Sequence, residues 1–173
     1  MRLIIETGEG LENANSYIDL VDVEKYLPSS VLVKLNELSV DEQIDRFITA
    51  SLFIDFSFDW IGQQKTLEQG LSWPRINVLY QGHKIPENYI PTQIKKACSM
   101  AINLIMKSGI GVFQETNEAQ IKKEKFGPIE TEYFKAMKYN FDNSSQFSDI
   151  NNLLRGLFKK QNSGVITAEV LLR

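Results

Sequence analysis

The feature that most constrains this chain is a pair of amphipathic helices, each with its own start signal. Ser39 and Glu42 form a Ser-x-x-Glu capping box, in which each side chain satisfies the other residue's backbone N–H at a helix start. Ile44, Phe47, Ile48, Leu52, Phe56 and, further on, Trp60 follow on one face, and Gly62 stands where that helix should end. Pro91 opens the second helix, whose apolar stripe is Ile94, Ala97, Cys98, Ala101, Leu104 and Ile105, with Gly109 placed at its C-cap. Two such stripes are expected to bury each other.

The rest of the chain is arranged around this pair. Asp19 reads as the N-cap of a short helix carrying Leu20, Val23 and Leu27 and closed by Pro28. Val31 to Leu38 is apolar but poorly periodic. Gln63 to Tyr89 reads as a long irregular connection punctuated by Gly70, Trp73-Pro74, Gly82 and Pro86, and connections of this length usually carry function or contact a partner. From Ile121 to Tyr133 the period changes to two across Phe126-Gly127-Pro128, which predicts a β-hairpin. Phe134 to Ser145 is a polar loop, and Ile150, Leu153, Leu154 and Leu157 form the apolar face of a last short helix. The expected fold is mainly α: a small helical bundle over residues 1–160 with one β-hairpin near 121–133, and an extended C-terminal tail over 161–173.

A chain of 173 residues is long enough for one self-sufficient core. Its 43% hydrophobic and 24% charged residues match soluble globular proteins, so neither disorder nor membrane residence is expected. The net charge of −3 argues against a protein whose main task is neutralising phosphates, although a local basic patch is compatible with it. Cys98 is the sole cysteine, which excludes an intramolecular disulfide and suits a reducing compartment. Met1 to Gly10 lacks the apolar core of a signal peptide, so no export is expected.

A search for chemistry returns little. His83 is the sole histidine, flanked by Gly82 and Lys84 as a solvated loop residue would be, and one Cys with one His cannot assemble a zinc set. A Cys98–His83 nucleophile pair would require a thiol on an apolar helix face to be exposed. Asp41, Glu42 and Asp45 suit the positive end of a helix dipole, whereas Asp55 and Asp59 read as a solvated face or, less readily, a shared metal site. No enzyme, cofactor or metal is expected. Lys122, Lys123 and Lys125 make the densest basic run, with Lys95-Lys96 and Lys159-Lys160 as smaller ones. Acids such as Glu118, Glu124, Glu130 and Glu132 offset them, so the run is either a balanced solvated face or a weak phosphate contact.

Several pieces in series resemble the phage head-tail connector (adaptor) proteins, including relatives named as DnaT-like single-stranded-DNA-binding proteins. They are Asn13-Ala14-Asn15-Ser16-Tyr17, Phe58-Asp59-Trp60-Ile61-Gly62, Gln69-Gly70-Leu71-Ser72-Trp73-Pro74-Arg75, Ile90-Pro91, and Lys123-Glu124-Lys125-Phe126-Gly127-Pro128-Ile129-Glu130 followed by Tyr133. The resemblance implies a structural virion protein, made in the host cytoplasm and placed at the head-tail interface. It would form a homo-oligomeric ring, as a dodecamer, that binds the portal protein, meets tail or stopper proteins, touches packaged DNA transiently and has no membrane contact. Its rival is a DnaT-like module that binds single-stranded DNA. The sequence departs from the family's pattern at Val31 to Leu38 and in the polar segment Asn140 to Ser148.

Three sites follow as expectations. Trp73, Pro74 and Arg75 anchor the long loop or a subunit interface, Trp73 by burying its ring and Arg75 by pairing with a carboxylate. Gly164, Val165, Ile166, Val170, Leu171, Leu172 and Arg173 form a tail that either docks on the portal or folds back on its own helices. Lys122, Lys123 and Lys125 are the candidates for facing DNA, and an acidic chain is expected to bind single strands only weakly at physiological salt.

Overall fold

A computed structural model describes residues 2–108, 124–126, 129–131 and 145–159. It is mainly α with small hairpins. Helix α1 spans Leu20–Tyr26, α2 Ser29–Asn36, α3 Val40–Ser57, α4 Thr92–Ser108 and α5 Ser145–Leu154. Three short antiparallel strand pairs accompany them: β1 Gln63–Gln64 with β2 Arg75–Ile76, β3 Leu79–Tyr80 with β4 His83–Lys84, and β5 Glu124–Phe126 with β6 Ile129–Thr131. The last pair lies within the expected hairpin, with Lys125 opposite Glu130 in the ladder.

The start signals act as their chemistry requires. The Asp19 carboxylate accepts the backbone N–H of Asp22, closing the first turn of α1. At α3 the Ser39 N–H donates to the Glu42 carboxylate at 2.9 Å and the Ser39 hydroxyl accepts the Glu42 N–H at 3.4 Å, so both halves of the capping box are made. The Ser39 hydroxyl, donating to the same carboxylate at 2.7 Å, and then the Ser39 N–H hold the Glu42 carboxyl below its usual range.

Helix α4 is the centre of the bundle, packing on α3 and α5 and more lightly on α1 and α2. Its stripe of Ile94, Ala97, Cys98, Ala101, Ile102 and Ile105 is buried, and α3 faces it with Phe47, Ile48, Ala50, Ser51, Phe53 and Ile54. From α5 and the turn after it come Ile150, Leu154 and Leu157.

Four features differ from expectation. Val31 to Leu38 is mostly helix: α2 begins directly after Pro28 and buries only Val31 and Leu35, too few positions to show a period in the sequence. Helix α3 stops at Ser57 rather than Gly62, because Asp59 to Ile61 is extended and joined to the segment after α5. There Ile61 N–H donates to the Leu157 carbonyl at 3.1 Å, and Lys159 N–H to the Asp59 carbonyl at 2.7 Å. Trp60 therefore lies beyond the helix, bridged to Phe158. Phe56 is 73% exposed, since the inward face of α3 is set by Phe53, Ile54 and Asp55. The tail over 161–173, Gly109, Lys122, Lys123 and Phe134 to Asn143 lie outside the described residues.

Candidate functional site

Tyr17, Trp60 and Ser72, one from each of the three N-terminal sequence pieces, meet around one buried carboxylate. Asp55 sits in the last turn of α3, and its Oδ1 and Oδ2 accept the Ser72 backbone N–H at 3.0 and 3.1 Å. The Ser72 hydroxyl adds a bond to Oδ2 at 3.1 Å, and the Tyr17 hydroxyl donates to Oδ1. That hydroxyl also accepts the Trp73 N–H at 3.0 Å, while Trp60 Nε1 donates to the Asp55 carbonyl at 3.0 Å. One side chain thus fastens the N-terminal segment, the end of α3 and the long loop together.

Asp55 was expected on a solvated face; it is buried. Burial raises its carboxyl above the usual aspartate value, opposed by the bonds from Tyr17 and Ser72 and by the Arg75 charge. Burial likewise pushes the Tyr17 hydroxyl well above its ordinary value, with the Asp55 charge adding to the effect. Asp59, one turn on in sequence, points elsewhere: it is exposed and pairs with Lys159 at 3.1 Å. The two aspartates share no site, and among the described residues no three His, Cys, Asp or Glu side chains gather to hold a metal ion.

Trp73 is fully buried and meets Trp60 edge-on, with ring centroids 6.0 Å apart at 85°. Its ring is thus packed inside its own chain. Arg75 meets backbone oxygens of the same chain. Its guanidinium donates to three backbone carbonyls, Nε to Ile61 at 2.7 Å, Nη1 to Ser72 at 3.0 Å and Nη2 to Gly62 at 2.9 Å, and pairs with no carboxylate among the described residues. The bend after α3 and the turn before Pro74 leave carbonyls without ladder partners, and a five-donor fork satisfies them together.

Two further brackets hold the same region. The buried Glu6 carboxylate accepts the N–H groups of Gly8, Gly10 and Leu11 at 2.8 to 2.9 Å, folding the N-terminal turn around itself. The Gln69 side chain accepts the Thr66 N–H at 3.0 Å and donates to the Leu71 and Pro74 carbonyls at 2.6 and 3.1 Å. Gly70 lies so close to the N-terminal turn that a Cβ there would stand 2.6 Å from the Ala14 and Glu12 carbonyl oxygens. Chemically, this assembly braces a loop. Its acids are saturated by internal donors, and the Cys98 thiol is buried with its ionisation pushed far up by desolvation. His83 is exposed on β4, away from any pairing with Cys98.

The surface has a different composition. Tyr26, at the end of α1, is partly exposed, and the ammonium groups of Lys25 and Lys96 stand 5.3 and 5.7 Å from its ring centroid. Lys95 beside them is bound to Asp22 at 2.8 Å.

A family model described as "Putative DnaT-like ssDNA binding protein" matches residues 1–171. The chain belongs to this DnaT-like family. It matches no curated protein and no solved structure. The match overturns the head-tail connector expectation in favour of its DnaT-like alternative, because the family shown is described by single-stranded DNA binding. The physical source of that error is visible in the site. The polar groups that carried the resemblance, on Tyr17, Gln69, Ser72 and Arg75, are spent inside the chain as bracing, so the motifs identify a fold and its family without reporting what the surface meets.

The sequence had no single signal for Asp55, Tyr17 and Glu6 as a buried set. Their only mark was a polar residue among apolar neighbours in each of three separate pieces. The Lys95-Lys96 pair was visible as a small basic cluster, but its approach to Tyr26 required the packing of α1 on α4.

Proposed function

We propose that this chain is a non-catalytic module that binds single-stranded DNA. The observation that carries the reading is the family match, which spans residues 1–171 and so covers the scaffold and the surface together. Binding of unpaired strands needs cations for phosphates and exposed rings for bases, and it needs no reactive group. With a net charge of −3 the contact rests on local cations rather than on the overall field. Lys122, Lys123 and Lys125 supply one such group. Glu124, Glu130 and Glu132 offset these lysines in the sequence, which favours weak, salt-sensitive contact.

The test is a fluorescence-anisotropy titration of a labelled oligothymidylate over a salt series, with a duplex of equal length as competitor. The expected result is a preference for the single strand and an affinity that falls with salt, with a slope of about 0.7 for each phosphate neutralised. No binding at low salt, or equal affinity for duplex, sinks the reading.

A further inference from the structure

Among the exposed groups outside the braced loop, one cluster combines an aromatic face with unpaired cations. Helix α1 ends at Tyr26, where the Leu27 N–H closes on the Val23 carbonyl and Pro28 prevents continuation. The packing of α1 on α4 then brings Lys96 from a distant part of the chain to the same ring that Lys25 approaches from its own helix. The Lys95–Asp22 pair at 2.8 Å joins the two helices beside the ring and uses up the nearest carboxylate of α1. Glu24, exposed, is the other acid of that helix. Lys25 and Lys96 are exposed and form no ion pair with a carboxylate among the described residues.

Two ammonium groups at one ring give it positive flanks that phosphates can meet. Lys25 and Lys96 are exposed and can swing off the partly exposed ring, which then offers stacking to a flat, unpaired base, and a duplex cannot supply such a base without unstacking. We infer that Tyr26 is a stacking platform for one base of single-stranded DNA, with Lys25 and Lys96 meeting the flanking phosphates. The inference rests on the single-strand reading proposed above and gives it a location.

The experiment uses the full chain and a labelled oligothymidylate, with thermal melting of each variant measured alongside. Tyr26→Ala lowers affinity roughly 5- to 150-fold, the range that loss of one base–aromatic stack produces. Because that ring is partly buried, the double variant Lys25→Ala/Lys96→Ala, which alters exposed groups alone, is the companion. It lowers the salt slope by about 1.4, two phosphates' worth, while the charge control Lys84→Ala lowers affinity no more than loss of any one distant charge. If the parent binds and the double variant matches Lys84→Ala in affinity and slope, the platform is overturned and single-strand binding stands. If the parent itself does not bind, both fall.

Discussion

Replacing Trp73 by alanine tests the claim that the long loop is anchored from within. The side chain is wholly buried, its ring lies edge-on to Trp60, and its backbone N–H is held by the Tyr17 hydroxyl at 3.0 Å. Truncation removes the ring and leaves that backbone bond in place. An aromatic side chain buries on the order of 150–250 Å², worth roughly 4–6 kcal/mol at about 25 cal/mol per Å² as an upper bound. Measured truncations of buried Phe and Trp cost about 3–5 kcal/mol, and loss of an edge-to-face partner adds about 0.5–1.5 kcal/mol. The expected loss is about 4 kcal/mol, a large fraction of the roughly 5–15 kcal/mol that holds a domain folded. The indole Nε1 has no hydrogen-bond partner among the described residues, so Trp73→Phe gives up volume alone and costs about 1–2 kcal/mol. Urea unfolding followed by far-ultraviolet circular dichroism measures both variants. An alanine variant within about 1 kcal/mol of the parent at equal m-value refutes the anchor. So does a phenylalanine variant as damaging as alanine, because that would mean the indole N–H carries the effect.

Two other perturbations separate steric from electrostatic bracing. Gly70→Ala sets a Cβ 2.6 Å from two backbone carbonyl oxygens that have no rotamer to escape into, so it should cost about 2–3 kcal/mol. Gly82→Ala meets nothing within 4 Å and has only its φ of +83° to accommodate, at about 1–2 kcal/mol. Equal losses in Tm for the two would show that the N-terminal turn does not press on Gly70. The folded-state pKa of the Tyr17 hydroxyl is raised by burial and then by Asp55, so its contribution is complete below the unfolded value of 10.0 and is lost as pH rises from there toward the folded value. Tyr17→Phe lacks this proton, so the stability gap between parent and variant should shrink above about pH 10, and a gap that stays constant from about pH 8 to about pH 11 contradicts the buried, protonated hydroxyl.

The candidate site was partly legible beforehand. Trp73 as a loop anchor follows from a large apolar ring amid Gly and Pro punctuation. The partner of Arg75 was misjudged because charge complementarity is the first rule a sequence suggests, whereas the carbonyls of Ile61, Gly62 and Ser72 become available only once the chain has turned twice. Asp55 was misplaced for a similar reason. Four residues from Asp59 on a helix, it reads as solvated, and only the arrival of Tyr17 and Ser72 from elsewhere in the chain makes its burial tolerable.

Local physics settled the helices that carry a start signal. Asp19 before α1, the Ser39–Glu42 box before α3 and Pro91 before α4 each satisfy or remove backbone donors within a few residues of themselves, so no distant part of the chain needs to be known. The apolar stripes of α3 and α4 likewise determined that these two would pair, because each had to be withdrawn from water. What only the tertiary structure decided is everything whose partner is remote. The halt of α3 at Ser57 depends on strand-like bonds from Leu157 and Lys159. The inward turn of Asp55 depends on donors from the N-terminal segment and the long loop, and the meeting of Lys96 with Tyr26 depends on the packing of α1 against α4. Capping and periodicity are short-range and recur at fixed spacings, whereas saturation of a buried carboxylate or the clustering of cations on a ring depends on which surfaces the collapsed chain brings together.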